Sequence, residues 1–201
     1  MKQMNKKMNP VIGWFQMNLG SLLGLMALCV IVTLMSDKFI SKDNFLNILK
    51  SVSTNMMLAC ALTMVIILGL IDISVGSTVG LSGIICATLI GSGKYPVWQV
   101  IILCLAIGLL VGAVNAVLIA YIKIPAFIAT LATQNIGRGL CQVICDGAPV
   151  RCSEESFTKL GTTTFFGGVS ITVAYSVFFV ILICILMYKT RVGKYLYAIG
   201  G

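Results

Sequence analysis

Long apolar runs separated by short polar breaks make up most of this chain. They cover about 18–36, 45–70, 74–92, 97–122, 127–145 and 169–188. A bilayer core about 30 Å thick needs about 20 apolar residues of helix to cross it. Helices satisfy their own backbone hydrogen bonds in lipid, so the pattern predicts an all-α fold. The expected architecture is a polytopic helical membrane protein, one transmembrane domain over 1–201 with about six transmembrane helices. The breaks agree with this reading. Asp37-Lys38 ends the first run, and Ser41-Lys42-Asp43-Asn44 supplies a cap before the second. Ser92-Gly93-Lys94-Tyr95-Pro96 reads as a turn, and Ile124-Pro125 separates the fourth and fifth runs. Residues 146–168, with Asp146, Gly147, Pro149, Gly167 and Gly168, read as the sizeable loop. Positions 45–50 fit either an interfacial first turn, with Lys50 reaching the headgroups, or an overlong tilted helix.

Composition sharpens the class. Of 201 residues, 59% are hydrophobic and 10% charged, where soluble domains carry about 25% charged residues. A soluble core of this length has no room for so much apolar surface. The net charge of +8 does not indicate a nucleic-acid partner. The basic residues sit mainly at segment ends, as membrane anchors do, and are not interleaved with aromatics. Lipid is the expected surrounding. The first run is too far from the N-terminus, and lacks a small-residue cleavage site, to read as a cleaved leader.

Charge also orients the chain. Six spans put both termini on one side, with Lys2, Lys6, Lys7, Lys123, Lys189, Arg191 and Lys194. Lys38, Lys42, Lys94, Arg151 and Lys159 fall on the other. The two terminal clusters are the stronger argument, and they predict cytoplasmic termini with 146–168 outside.

Absences remove whole chemistries. The sequence has no His, which excludes His-based zinc sites, Ser-His triads and His proton relays. No phosphate-cradling Gly-rich loop with Lys and Ser/Thr is present, so ATP-driven transport would need a separate subunit. No catalytic residue, cofactor or metal is expected. Of the eight Cys, Cys29, Cys60, Cys86, Cys104 and Cys184 lie inside apolar runs as packing residues. Cys141, Cys145 and Cys152 lie near the loop; free thiols are the leading reading there, and an outer-face disulfide involving Cys152 is the minor alternative. No CxxC pair offers a metal site.

Few strong polar groups interrupt the runs: Asn55, Thr63, Asp72, Ser74, Asn115, Thr130, Thr133, Gln134, Asn135 and Arg138. Asp72 is the most informative. Residues 52–71 and 73–93 on either side of it carry no charge, and a carboxylate there costs roughly 2.5–3.5 kcal/mol if it meets lipid. Asp72 and Ser74 read either as caps for the third helix or as part of a cavity at a helix start within the membrane. The two readings are compatible. Thr130, Gln134 and Arg138 share roughly one helical face, which either pairs inside the bundle or lines a polar path. A path for an uncharged polyhydroxy solute needs such donors and acceptors more than fixed charges. Asn47, Asn55, Asp72, Ser74, Thr130, Gln134, Asn135 and Arg138 are the candidate path residues. Gly20-x-x-x-Gly24, Gly76-x-x-x-Gly80 and Gly108-x-x-x-Gly112 permit close helix approach. With Gly83 and Ala87 extending the stripe, the third helix is expected to be central.

Four stretches together resemble the membrane permease subunit of bacterial ABC importers for sugars of the ribose, xylose and galactoside type. They are Asn44 to Leu49, Gly69 to Ser77, Ile124 to Leu131 with Arg138-Gly139, and Thr190 to Gly201. Gly147-Ala148-Pro149-Val150 resembles the family's external loop. The family usually has Gly where this chain has Leu70. The resemblance implies a monosaccharide path, ribose first, in a dimer with a second permease copy. It also implies a cytoplasmic ATP-binding subunit, an extracytoplasmic sugar-binding protein and a bacterial inner-membrane location. Family members continue past Gly201 into a helix that docks on the ATPase and further spans, so about the last third is expected to be missing. Two other readings stay open: an ion-coupled secondary transporter using Asp72, and a non-transporting membrane fragment.

Overall fold

The computed structural model describes residues 10–152 and 154–201; Lys2, Lys6 and Lys7, on which part of the orientation argument rests, lie outside them. The described residues form eight α-helices: α1 (Pro10–Met35), α2 (Lys42–Ile67), α3 (Val75–Gly91), α4 (Val97–Ala120), α5 (Ala126–Cys145), α6 (Glu155–Thr162), α7 (Ile171–Lys189) and α8 (Arg191–Gly200). The all-helical class expected from the sequence is what the chain adopts.

The number of membrane-length helices differs from the sequence reading. Four described helices, not about six, are long and apolar enough to cross a membrane: α1 over Met17–Met35, α2, α4 and α7. The physical reasons are separate for the other two runs. α3 is apolar but has only 17 residues, because Leu70–Ser74 do not join the helix. α5 has 20 residues but spends positions on Thr130, Thr133, Gln134, Asn135 and Arg138. Residues 45–50 continue α2 without a break, and Lys50 is exposed.

Two compact units divide the chain, one ending at Ile48 and the other Leu49–Gly201. In the first, Ser41 caps α2. Its Oγ accepts the Asn44 amide at 3.2 Å, and the Asn44 side chain donates to the Phe39 carbonyl at 2.7 Å. In the second, α3 packs against both α4 and α5, and α4 also packs against α5. The central place expected for α3 is thus observed. Leu81, Cys86 and Ile90 of α3, Val100 of α4 and Ala129 of α5 are buried there. The opposite surfaces stay apolar: Leu105, Leu109 and Leu110 of α4 are 69%, 79% and 64% exposed. A contiguous surface of this kind suits hydrocarbon or another helix, not water.

The glycine motifs perform less than their spacing suggests. A β-carbon at Gly20, Gly24, Gly108 or Gly112 would have no described neighbour within 4 Å. Of the α3 pair only Gly80 faces a neighbour, Cys141 Sγ at 3.9 Å. The close approach to α3 is at Gly137 on α5, where a β-carbon would stand 3.1 Å from Ser77 Oγ and 3.2 Å from Ser77 Cβ. Thr133, Gly137 and Cys141 form the small-residue stripe that receives α3.

The segment expected as loop 146–168 contains a helix. α6 is amphipathic, with Lys159 paired to Glu155 at 2.8 Å on its exposed side. Phe157 turns inward against the Cys86–Ile90–Val100 cluster. Thr164 bridges to Ser170 beyond it, and Ser170 then caps α7 by accepting the Thr172 amide at 3.4 Å.

Candidate functional site

The link from α2 to α3 builds the site. α2 ends at Gly69, whose φ of +73° is a left-handed value that glycine takes without steric cost. The Gly69 amide donates to the Ile66 carbonyl at 2.9 Å and the Leu70 amide to the Val65 carbonyl at 3.2 Å. These two bonds form a Schellman ending that satisfies the last carbonyls of α2. Among the described residues only Lys123 and Asp146 combine a side chain with positive φ, so Leu70 occupies a position that asks for no glycine. Non-helical backbone then runs from Leu70 to Ile73 before α3 begins.

Asp72 stabilises this short link. Its Oδ1 accepts the Ser74 amide at 2.8 Å and the Ser74 hydroxyl at 2.6 Å. The carboxylate therefore closes an Asx-type turn just ahead of α3. Ser74 does not act as the side-chain cap that the sequence allowed. It lies at the N-cap position with helical φ and ψ of −73° and −14°, and its hydroxyl bonds no amide of α3. The hydroxyl instead turns sideways to α4. Asn115 Nδ2 donates to Ser74 Oγ at 3.0 Å. Thr133 Oγ1 on α5 donates to Asn115 Oδ1 at 2.6 Å, with the Ala129 carbonyl as its alternative acceptor at 3.0 Å. One chain of hydrogen bonds thus joins the α3 start, α4 and α5 through Asp72, Ser74, Asn115 and Thr133.

Burial makes this chain consequential. Ser74 is 1% exposed and Asn115 5%. A buried polar group left unpaired costs about 1–3 kcal/mol, so each member depends on the next. The Ser74 carbonyl accepts three further bonds, from Ser77 Oγ at 2.8 Å, Thr78 Oγ1 at 3.0 Å and the Thr78 amide at 2.9 Å. Beside the network lies a small cavity of about 160 Å³, lined by Asp72, Ser74, Thr78, Gly108, Gly112 and Asn115 among others. The small residues Gly108 and Gly112 leave open what a larger side chain on α4 would fill.

The predicted site residues separate into groups. Asp72 and Ser74 are in the network. Thr130 is 1% exposed and reaches the same link, with its hydroxyl 2.8 Å from the Ala126 carbonyl and 3.3 Å from that of Ile71. Gln134 is half-buried, whereas Asn135 and Arg138 are exposed. Among the described residues no hydrogen bond or ion pair joins those three to the network. The Thr130–Gln134–Arg138 face therefore runs from the buried link outward to the surface of α5. Asn55 is exposed on α2. Asn47 is in the first unit, where it lines a polar depression of about 510 Å³ with Lys38, Asp43 and Asn44.

Asn115 and Thr133 are the network members that the sequence reading noticed as polar but did not place in the path. A signal was present. Asn115 is an amide in the C-terminal part of the apolar helix α4, and a polar side chain there needs a partner. The partner's identity depends on residues 18 and 41 positions away.

Comparison with known proteins gives the family. Residues 44–201 match the family described as branched-chain amino acid transport system / permease component. The ribose import permease protein of Haemophilus influenzae is 37% identical over 98% of this chain and 62% of its own length. That of Bacillus subtilis is 38% identical over 91% of this chain and 57% of its own length. The galactose/methyl galactoside import permease protein of Haemophilus influenzae is 32% identical over 88% of this chain and 58% of its own length. The chain thus spans about three-fifths of the length of these relatives. No solved structure matches. With its membrane-length apolar helices, the chain is an integral membrane protein and belongs to the branched-chain amino acid transport system / permease component family.

Proposed function

We propose that this chain is the path-forming part of an ATP-driven sugar importer in a bacterial inner membrane, with a monosaccharide such as ribose as cargo. The observation that carries the reading is the Asp72–Ser74–Asn115–Thr133 network, buried at Ser74 and Asn115, beside a cavity between apolar helices. Hydroxyl, amide and carboxylate groups at that depth offer donors and acceptors suited to sugar hydroxyls. At about 160 Å³ the cavity is smaller than the roughly 300–1,000 Å³ of ordinary ligand sites, so it serves as one station of a path. Asp72 and Ser74 hold that station, and Thr130 braces the link beside it through the Ile71 carbonyl. Gln134, Asn135 and Arg138 continue the path along α5, and Asn55 belongs to its approach; Asn47 is a path candidate within its own unit. Ribose ranks first because relatives named ribose import permeases are 37% and 38% identical to this chain. Relatives named for galactose/methyl galactoside and autoinducer 2 import, at 32% and 31%, keep those solutes as the comparison.

The proposed partners are a cytoplasmic ATP-binding subunit, an extracytoplasmic sugar-binding protein and a second permease copy. Hydrolysis belongs to the ATP-binding subunit, and this chain positions and gates. In this proposal both termini are cytoplasmic, on the argument of the basic residues at the two ends, and α6 with its flanking loop is outside. The ion-coupled alternative is disfavoured by Asp72 itself, since one carboxylate oxygen already accepts two bonds from Ser74. The deciding experiment is uptake of radiolabelled ribose in cells whose own ribose permease is deleted, with the chain supplied in a full-length background. Uptake that needs the partner ATPase, and is competed by ribose more than by galactose, is expected. Uptake without the ATPase would overturn the reading.

A further inference from the structure

Three thiols meet at the α3 C-terminal end, away from the polar network. Cys86 is 7% exposed and packs with Ile90 and Val100; Cys104 from α4 and Cys152 from the segment before α6 pack on the same cluster. Cys104 and Cys152 are both neighbours of Cys86, and Cys104 is the one in side-chain hydrogen-bond contact with it. The three have different freedoms. Cys86 and Cys104 are fixed on helices, and Cys104 Sγ lies 3.3 Å from the Ser82 carbonyl, which occupies its proton. Cys152 is half-buried on non-helical backbone that lies directly on α3. The Arg151 carbonyl is 4.0 Å from where a β-carbon on Gly91 would stand. A disulfide tolerates little error in Cα separation, so a pair with one member on adjustable backbone closes more readily than two fixed helical ones. All eight cysteines are free thiols in this structure.

We infer that Cys86 and Cys152 form a reversible disulfide that latches the segment before α6 onto α3. The half-exposed Cys152 thiolate attacks a low-molecular-weight disulfide RSSR, giving Cys152–S–S–R and releasing RS⁻. The Cys86 sulfur then attacks the Cys152 sulfur and expels a second RS⁻, and the Cys86 proton leaves with it. Two protein thiols are oxidised and one RSSR is reduced to two thiols, so atoms and electrons balance. Access for the reagent is through Cys152, because Cys86 is buried in apolar surroundings where a thiol is inert toward bulky oxidants. The inference takes from the proposed orientation only that this end faces outward, where oxidants are found.

The test uses the full chain in intact cells. Oxidised glutathione, which does not cross the membrane, is added, free thiols are then alkylated, and non-reduced peptides are read by mass spectrometry. The expected product joins the Cys86 and Cys152 peptides, two hydrogens lighter than their sum, and disappears with dithiothreitol. Cys104→Ser should retain it and Cys152→Ser should abolish it. If Cys152→Ser does not accumulate, the wild-type peptide map decides alone. A Cys152 recovered alkylated, still carrying glutathione, or joined to Cys104 overturns the inference. The same peptide appearing only when oxidant is added to inverted vesicles supports the latch and rejects the orientation.

Discussion

Asn115 on α4 donates its side-chain amide to Ser74 Oγ at 3.0 Å, across 41 positions of sequence, and both residues are buried. The Ser74 hydroxyl donates in turn to Asp72 Oδ1, and Asn115 Oδ1 accepts from the Thr133 hydroxyl. The start of α3 is thereby fixed against α4 and α5 by side chains, where an ordinary helix start would use a cap. Polar contacts between helices in lipid average under about 1 kcal/mol when an exposed or mobile partner can substitute. Here burial limits substitution, so the coupling should be larger.

Asn115→Ala removes the donor to Ser74 and the shorter acceptor of Thr133. Thr133 can fall back on the Ala129 carbonyl, but Ser74 gains no other donor from within the network. The expected loss is about 1–3 kcal/mol, read as a lower thermal midpoint of the detergent-purified protein. Thr133→Val alone should cost less than Asn115→Ala, and the double variant should cost less than the two losses added. Strict additivity would show that the two side chains act independently.

Asp72→Asn and Asp72→Leu should part company. Oδ1 of Asp72 accepts both the amide and the hydroxyl of Ser74, and a side-chain amide carbonyl can accept the same two bonds. In a full-length background, Asp72→Asn should keep most sugar uptake. Asp72→Leu leaves the Ser74 groups unpaired, at about 1–3 kcal/mol each, and should lose uptake or membrane level. Uptake near zero for Asp72→Asn, at normal membrane level and with the ATPase bound, would return the ion-coupled reading.

Gly137→Ala tests the α3–α5 seam. The new β-carbon would stand 3.1 Å from Ser77 Oγ and 3.2 Å from Ser77 Cβ, tighter than ordinary packing. Over-packing of this kind costs about 1–3 kcal/mol against the roughly 1 kcal/mol of helix propensity that alanine gains, and Ser77 is held by its bond to the Ser74 carbonyl, so the thermal midpoint should fall. Ser77→Gly in the same protein removes both contacting atoms and should recover part of the loss. A fall that Ser77→Gly deepens would locate the strain elsewhere.

The sequence made the membrane-length helices legible because their apolar runs are long and their breaks are strong; Gly69 closes the turn after α2, and Pro125 stands just before α5. Asp72 and Ser74 stood out in the sequence because a carboxylate between two apolar runs needs a reason, and the structure joins them by hydrogen bonds. The direction of the Ser74 hydroxyl was not legible, since it depends on Asn115 arriving from α4. α6 was hidden by its length of 8 residues and by its threonines and glycine, a composition that also suits a loop. The Gly-x-x-x-Gly pairs pointed to the wrong contacts because spacing states which surfaces permit approach and says nothing of which partner arrives. Gly137 carried the approach with Thr133 and Cys141 as its small neighbours, a stripe that a glycine-only reading passes over.

Arg138 is the outer end of the face that begins at buried Thr130. It is exposed, and no ion pair holds it among the described residues, so its removal leaves no buried partner unpaired. If this face is part of the sugar path, Arg138→Leu should lower uptake several-fold while membrane level and thermal midpoint stay at wild-type values. Arg138→Lys keeps the charge but loses the planar fork of donors, and should restore uptake only in part. The measurement is initial-rate uptake normalised to membrane protein, run beside Thr130→Val. Because Thr130 bonds backbone carbonyls in the core, that variant is expected to change stability as well as uptake. Equal uptake by Arg138→Leu and wild type would reduce Arg138 to a membrane anchor and confine the path to the Asp72 end.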